Sequence, residues 1–304
     1  MNASNTKADP GIIGAPGRWL LPLVAVLVVT WLAGCSTMRF AYGQGPHMAF
    51  WWLDGYVDFT DEQAPPAREH IARWFRWHRN AHLPLYAQTL ARMRDEAQHN
   101  TTGTKACELW ARALHWRDEA VEQALPAVAE LALRLSPEQL QHIEKRYVKS
   151  NKEFRKDHLQ DSREDRERAM LKRAIERAEM LYGRLDAEQR KWYTQRVQAS
   201  PFNAELWNQE RLRRQQDVLH TLRSLPAAQA TPETAQAALR QVFHRVSHSP
   251  DPNYRAYSAQ LTAYNCELAA QLHNRTTPEQ RKTAQGKLHG WENDFRALVA
   301  SAER

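Results

Sequence analysis

Leu135-Ser136-Pro137-Glu138-Gln139, followed by Leu140-Gln141-His142-Ile143, is the stretch that decides the fold. A serine hydroxyl can accept a hydrogen bond from the exposed N–H groups of a first helical turn, and proline suits the first helical position. The acid meets the positive end of the helix, and a glutamine three residues after the cap can reach back to the cap's own N–H. The same device recurs at Thr60-Asp-Glu-Gln63, Asp186-Ala-Glu-Gln189 and Thr277-Pro-Glu-Gln280, with a weaker copy at Thr231-Pro232-Glu233. From Thr60 onward alanine is abundant and apolar residues return at three- and four-residue spacing, the period of helices packed on one face.

The spacing predicts an all-α chain with helices over 64–80, 84–100, 105–124, 126–134, 137–159, 163–183, 187–199, 203–224, 232–247, 254–275 and 278–302. Pro126 is expected to kink or break its helix. The charged stretch Lys145–Arg173 is too polar in its middle to be buried, so a turn near Asp161 with a fresh start at Ser162 is expected. The last four start signals recur at about the length of helical-hairpin repeats. The architecture is therefore either an irregular multi-helix bundle or a stack of helical hairpins.

Upstream, Trp19–Leu32 is an apolar run of 14 residues ending in Leu32-Ala33-Gly34-Cys35. That length suits the apolar part of a secretory signal and falls short of a bilayer-spanning helix. Leu-Ala-Gly-Cys resembles the lipobox of bacterial lipoproteins, which implies cleavage before Cys35 and a diacylglycerol on its thiol. The expected division is 1–34 as lipoprotein signal peptide, 35–63 as a lipidated aromatic-rich segment, and 64–304 as the all-helical domain. The covalent lipid on Cys35 is the only prosthetic group expected, and the membrane is one partner through it. Ser36 stands where an aspartate would favour retention at the inner membrane, so the resemblance implies an outer-membrane lipoprotein facing the periplasm.

The chain has 42 Lys+Arg and 35 Asp+Glu, a formal charge of +7. Losing Lys7, Arg18 and Asp9 with the leader would lower it to about +6. Such a balance favours anionic surfaces: lipid headgroups, anionic glycans or acidic envelope proteins. Export argues against nucleic acid. Only Cys107 and Cys266 would remain as thiols; an oxidising compartment permits a disulfide between them, and two separate buried cysteines is the alternative.

Behind Cys35 comes Phe50-Trp51-Trp52-Leu53-Asp54-Gly55-Tyr56-Val57-Asp58-Phe59. These rings either dock the segment onto the body or lie at a headgroup layer or ligand groove, and Trp51, Trp52, Asp54, Tyr56, Asp58 and Phe59 are candidate partner-binding residues. Asp54 and Asp58, four apart, could in principle serve acid–base chemistry, the least favoured, hydrolase reading. His78 and His82, and His244 and His248, share helix faces but lack the third ligand and supporting shell of a metal site. No phosphate-binding glycine loop and no nucleophile elbow is present.

Cys35-Ser36-x-x-Arg39-x-x-Tyr42-x-x-x-Pro46 with the Trp51–Phe59 block resembles a domain-of-unknown-function family of proteobacterial lipoproteins. So do Trp74-Phe75-x-Trp77-His78-Arg79, Leu83-Pro84-x-Tyr86-Ala87, and Trp207-x-x-x-Arg211-x-x-Arg214-Gln215. The resemblance implies an all-helical lipoprotein and no assigned activity. Leu135-Ser-Pro-Glu-Gln139 and Leu185-Asp-Ala-Glu-Gln189 also look like the Leu-Thr-x-x-Gln motifs of small helical periplasmic chaperones of the Spy and CpxP type. The expected function is non-catalytic binding, assembly or scaffolding in the envelope, with an ATP-independent chaperone as the alternative.

Overall fold

The computed structural model describes residues 37–301, so Cys35 and the leader lie outside the described residues. Twelve helices and no strand occur among them. They are α1 (Thr37–Gly43), α2 (Gly45–Val57), α3 (Ala64–Ala81), α4 (Leu83–Glu96), α5 (Gly103–Ala132), α6 (Pro137–His158), α7 (Arg163–Tyr182), α8 (Ala187–Gln198), α9 (Ala204–Ala227), α10 (Pro232–Ser247), α11 (Pro252–Asn274) and α12 (Pro278–Ala300).

The start signals act as their chemistry requires. Ser136, Asp186 and Thr277 each accept from the N–H three residues on, and Gln139, Gln189 and Gln280 return the bond to the cap's N–H. Thr60 and Gln63 make the same reciprocal pair at a turn, with α3 beginning one residue later at Ala64. Ser162 caps α7 after the expected turn.

These boxes also meet in pairs. Gln139 Nε2 donates to Gln63 Oε1 at 2.7 Å and to Asp58 O at 2.9 Å; Gln63 Nε2 donates to Gln139 Oε1 at 3.2 Å and to Arg134 O at 2.9 Å. Gln189 and Gln280 repeat the pattern: each donates to the other's Oε1, at 2.7 and 2.9 Å, and to Arg275 O and Arg184 O. In all four cases the carbonyl lies two residues before the partner's cap. Each amide thus bonds with both its oxygen and its nitrogen. We call these two arrangements the glutamine clasps.

One expectation is corrected, and of the two expected architectures the irregular bundle is the one found. Pro126 does not break its helix, because α5 runs continuously from Gly103 to Ala132. Leu125 and Ala129 on either side are buried in the main core, and that packing offsets the roughly 3 kcal/mol a mid-helix proline costs. Nor are the helices a stack of hairpins in which each pair touches only its neighbours. Helix α4 packs on α12, and α5 packs on both α10 and α11, so the two halves of the chain close on each other as an irregular bundle. The main core joins α5, α6, α9 and α10 around Leu125, Leu140, Ile143, Leu222 and Ala235. A disulfide joins Cys107 on α5 to Cys266 on α11.

Helices α1 and α2, Thr37–Gly43 and Gly45–Val57, pack on the body. Arg39 pairs with Asp294 of α12 at 3.3 Å. Tyr42 donates to or accepts from His78 Nδ1 at 2.9 Å and meets Phe75 edge-on. Gly45 lets α2 approach α3 closely, since a Cβ there would sit 2.5 Å from the Phe75 ring and force it to move.

Candidate functional site

The aromatic block divides between docking and exposure. Phe50 and Val57 are buried, Phe50 stacking on Phe59 at 5.6 Å with the Arg68 guanidinium 3.8 Å above its ring. Trp51 and Trp52 stay 66% and 64% exposed. The two aspartates hold the end of the helix. Asp54 Oδ1 accepts from Phe59 N–H at 3.1 Å, while Asp58 is exposed in the left-handed conformation, φ 58°, its N–H bonded to Asp54 O. Because Asp58 O is held by Gln139, the first clasp fixes where α2 stops.

Held there, α2 forms one wall of a groove of about 510 Å³ with α6 and α9 as the others. Trp52 and Tyr56 stand on α2, Tyr147 on α6, and Trp207, Arg211, Arg214 and Gln215 on α9. The rings run in series: Trp52 to Tyr56 at 5.0 Å, then Tyr56 edge-on to Tyr147 at 6.1 Å. The Arg146 guanidinium lies 5.2 Å from the Tyr56 ring centroid. Burial raises the Tyr147 pKa, so its hydroxyl stays protonated at neutral pH.

The cations of this groove differ in how they are neutralised. Arg214 is paired with Glu210 at 2.8 Å. Glu210 is itself buried; burial alone would raise its pKa, but hydrogen bonds from Arg213, Arg214 and Ser249 hold it below the usual value. Arg211 instead bonds neutral groups, Asn151 Oδ1 at 2.9 Å and Ser150 Oγ, and Asn151 is fixed by a two-way amide pair with Gln215. Among the described residues no carboxylate forms a salt bridge with Arg211 or Arg146, and the buried Arg146 Nε has no hydrogen-bond partner. The groove therefore presents aromatic faces and Arg211, with Arg146 lying next to the Tyr56 ring, two cations that no carboxylate among the described residues pairs with. Aromatic rings and guanidinium groups in this arrangement suit an anionic partner that also offers flat or apolar surface. Trp207 also walls a larger cleft, of about 740 Å³, between α7 and α11.

The histidine pairs sit elsewhere. Both ring nitrogens of His78 face hydroxyls, Tyr42 at 2.9 Å and Tyr86 at 3.2 Å, and its ring stacks between Trp74 and His82. Burial, with the His82 charge adding, lowers the His78 pKa to about 4. His244 and His248 stack on each other at 5.0 Å. No group of three or more metal-ligating side chains occurs among the described residues.

Trp52, Tyr56, Trp207, Arg211, Arg214 and Gln215, quoted from two separate motifs, thus line one groove. Sequence reasoning singled out Trp52 and Tyr56 but missed Arg146, Tyr147 and Arg211 as site residues, and it read the four glutamines only as local caps. The repetition of glutamine at the same place in the four boxes at Thr60, Ser136, Asp186 and Thr277 was the available signal. No curated protein and no solved structure matches the chain. Residues 55–255 match a family of unknown function, DUF6279, and the chain belongs to that family.

Proposed function

We propose that this is a lipoprotein, anchored through Cys35 to the periplasmic face of the outer membrane, that works by binding an anionic partner in the groove between α2, α6 and α9. The observation that carries this reading is the juxtaposition of an exposed aromatic wall with Arg211 and Arg146, cations without a carboxylate partner inside the fold. The partner is an acidic envelope protein or an anionic glycan. A photoreactive residue at Trp52, irradiated in living cells, tests it. A discrete adduct is expected, abolished by Arg211→Glu and retained by Arg211→Lys, and its digestion by protease or glycosidase names the partner class. Equal capture with Arg211→Glu would refute the groove as the binding site.

A chaperone reading draws on Leu135–Gln139 and Leu185–Gln189, the two boxes that look like Leu-Thr-x-x-Gln motifs, one in each clasp, and on the open aromatic cleft between α7 and α11. It requires the purified protein to suppress aggregation of an unfolded client at equal molarity without ATP. Failure to do so rejects it.

A further inference from the structure

Helices α1 and α2 form nearly one continuous helix, since Gln44 N–H bonds Phe40 O, Met48 N–H bonds Gln44 O, and Gln44 keeps helical angles. Counting about 100° per residue places Phe40, Trp51, Met48 and Trp52 within an arc of roughly 120°. Tyr42, Phe50, Leu53 and Val57 fall on the other side, toward the body. The four outward residues are 69%, 66%, 61% and 64% exposed. A helix whose second apolar face is left in water needs an occupant for that face.

Where the chain leads identifies the occupant. Thr37, the first described residue, follows Cys35 by two positions, so their Cα atoms lie within about 7 Å of each other. Acyl chains on Cys35 would hold the first turn of α1 in the headgroup layer, and Trp, Met and Phe beside polar residues such as Gln44 and His47 suit that layer. The strip is about 18 Å long and one helix wide, on the order of 200 Å² in projection. That is well below the roughly 800 Å² per partner of a standard protein–protein interface, which argues against a second copy of the chain.

We propose that the Phe40–Met48–Trp51 face lies in the bilayer surface as a second, non-covalent membrane contact. Trp52 at its edge then turns the mouth of the aromatic–arginine groove toward the lipid. This inference rests on the anchor proposed above, and the test separates the two.

The full-length protein, purified with its native modification, is reconstituted in phospholipid vesicles containing a diazirine-bearing phospholipid, irradiated, and mapped by mass spectrometry. Adducts are expected at Phe40, Met48 and Trp51, and not at Val148 or Met180, which are similarly exposed on the body. In the Met48→Glu/Trp51→Glu variant, adducts in α1–α2 should fall at least tenfold while the protein still floats with the vesicles through Cys35. Floating protein with no enrichment at the three residues overturns the inference and leaves the anchor standing. A photoreactive residue placed at Trp51 that joins two copies of the chain on irradiation overturns it in favour of a dimer. Unmodified Cys35 overturns the anchor; in that sample, adducts at the three residues would still support the face, and their absence would overturn it too.

Discussion

Gln139→Met, which keeps an unbranched side chain of similar length, removes every hydrogen bond that Gln139 contributes to the first clasp. The amide bonds Ser136 N–H, Asp58 O and Gln63 in both directions. At about 1 kcal/mol net per bond, the loss is about 4 kcal/mol. Gln63→Met should cost a similar amount through Thr60 N–H, Arg134 O and the same two shared bonds. Because those two bonds can be lost only once, the double variant should cost about 6 kcal/mol, a coupling of about 2 kcal/mol. Urea unfolding of the four proteins, with unchanged m-values, gives the cycle. Gln139→Met combined with Gln280→Met, one from each clasp, should instead be additive within about 0.5 kcal/mol. A Gln63–Gln139 coupling below that same 0.5 kcal/mol would mean the clasp is two independent caps and would refute the reasoning.

Other outcomes follow from the same structure. Cys107→Ser/Cys266→Ser should lower stability by up to about 5 kcal/mol, the chain-entropy value for a sequence separation of 159, and dithiothreitol should then leave the variant's unfolding midpoint unchanged. The His78 pKa is about 4 in the folded chain, below its ordinary value near 6.5, so the unfolded chain binds more protons between those values. Stability should therefore be full above about pH 6.5 and fall as pH drops toward 4. In His78→Phe, which keeps a ring in the stack, the shift of the urea midpoint between pH 6.5 and 4.5 should shrink; an unchanged shift would assign the dependence to other groups. Cys35→Ala should release the protein from membranes or block its maturation, and recovery of the variant in the pellet after high-salt washing would contradict lipid anchoring.

What was legible in the chain was local. Ser136, Asp186 and Thr277 start helices because the cap, the acid and the glutamine act within one turn, so their chemistry can be read without the fold. What was not legible depended on partners distant in sequence. The apolar spacing places the first helix at 64, yet Thr37–Gly43 and Gly45–Val57 are helical too, packed where Tyr42 meets Phe75 and His78 and where Phe50 lies under Arg68. Pro126 reads as a break because sequence shows its cost and hides the packing of Leu125 and Ala129 that offsets it. The groove joins Trp52 to Arg211 across about half of the chain, and no local pattern announces that two separate motifs will share a wall.

The most direct test of the account is the mass of the N-terminal peptide of protein recovered from the cell envelope. The account predicts a chain beginning at Cys35 and carrying a diacylglycerol thioether with acyl chains. A chain that retains residues 1–34 with an unmodified Cys35 would contradict it.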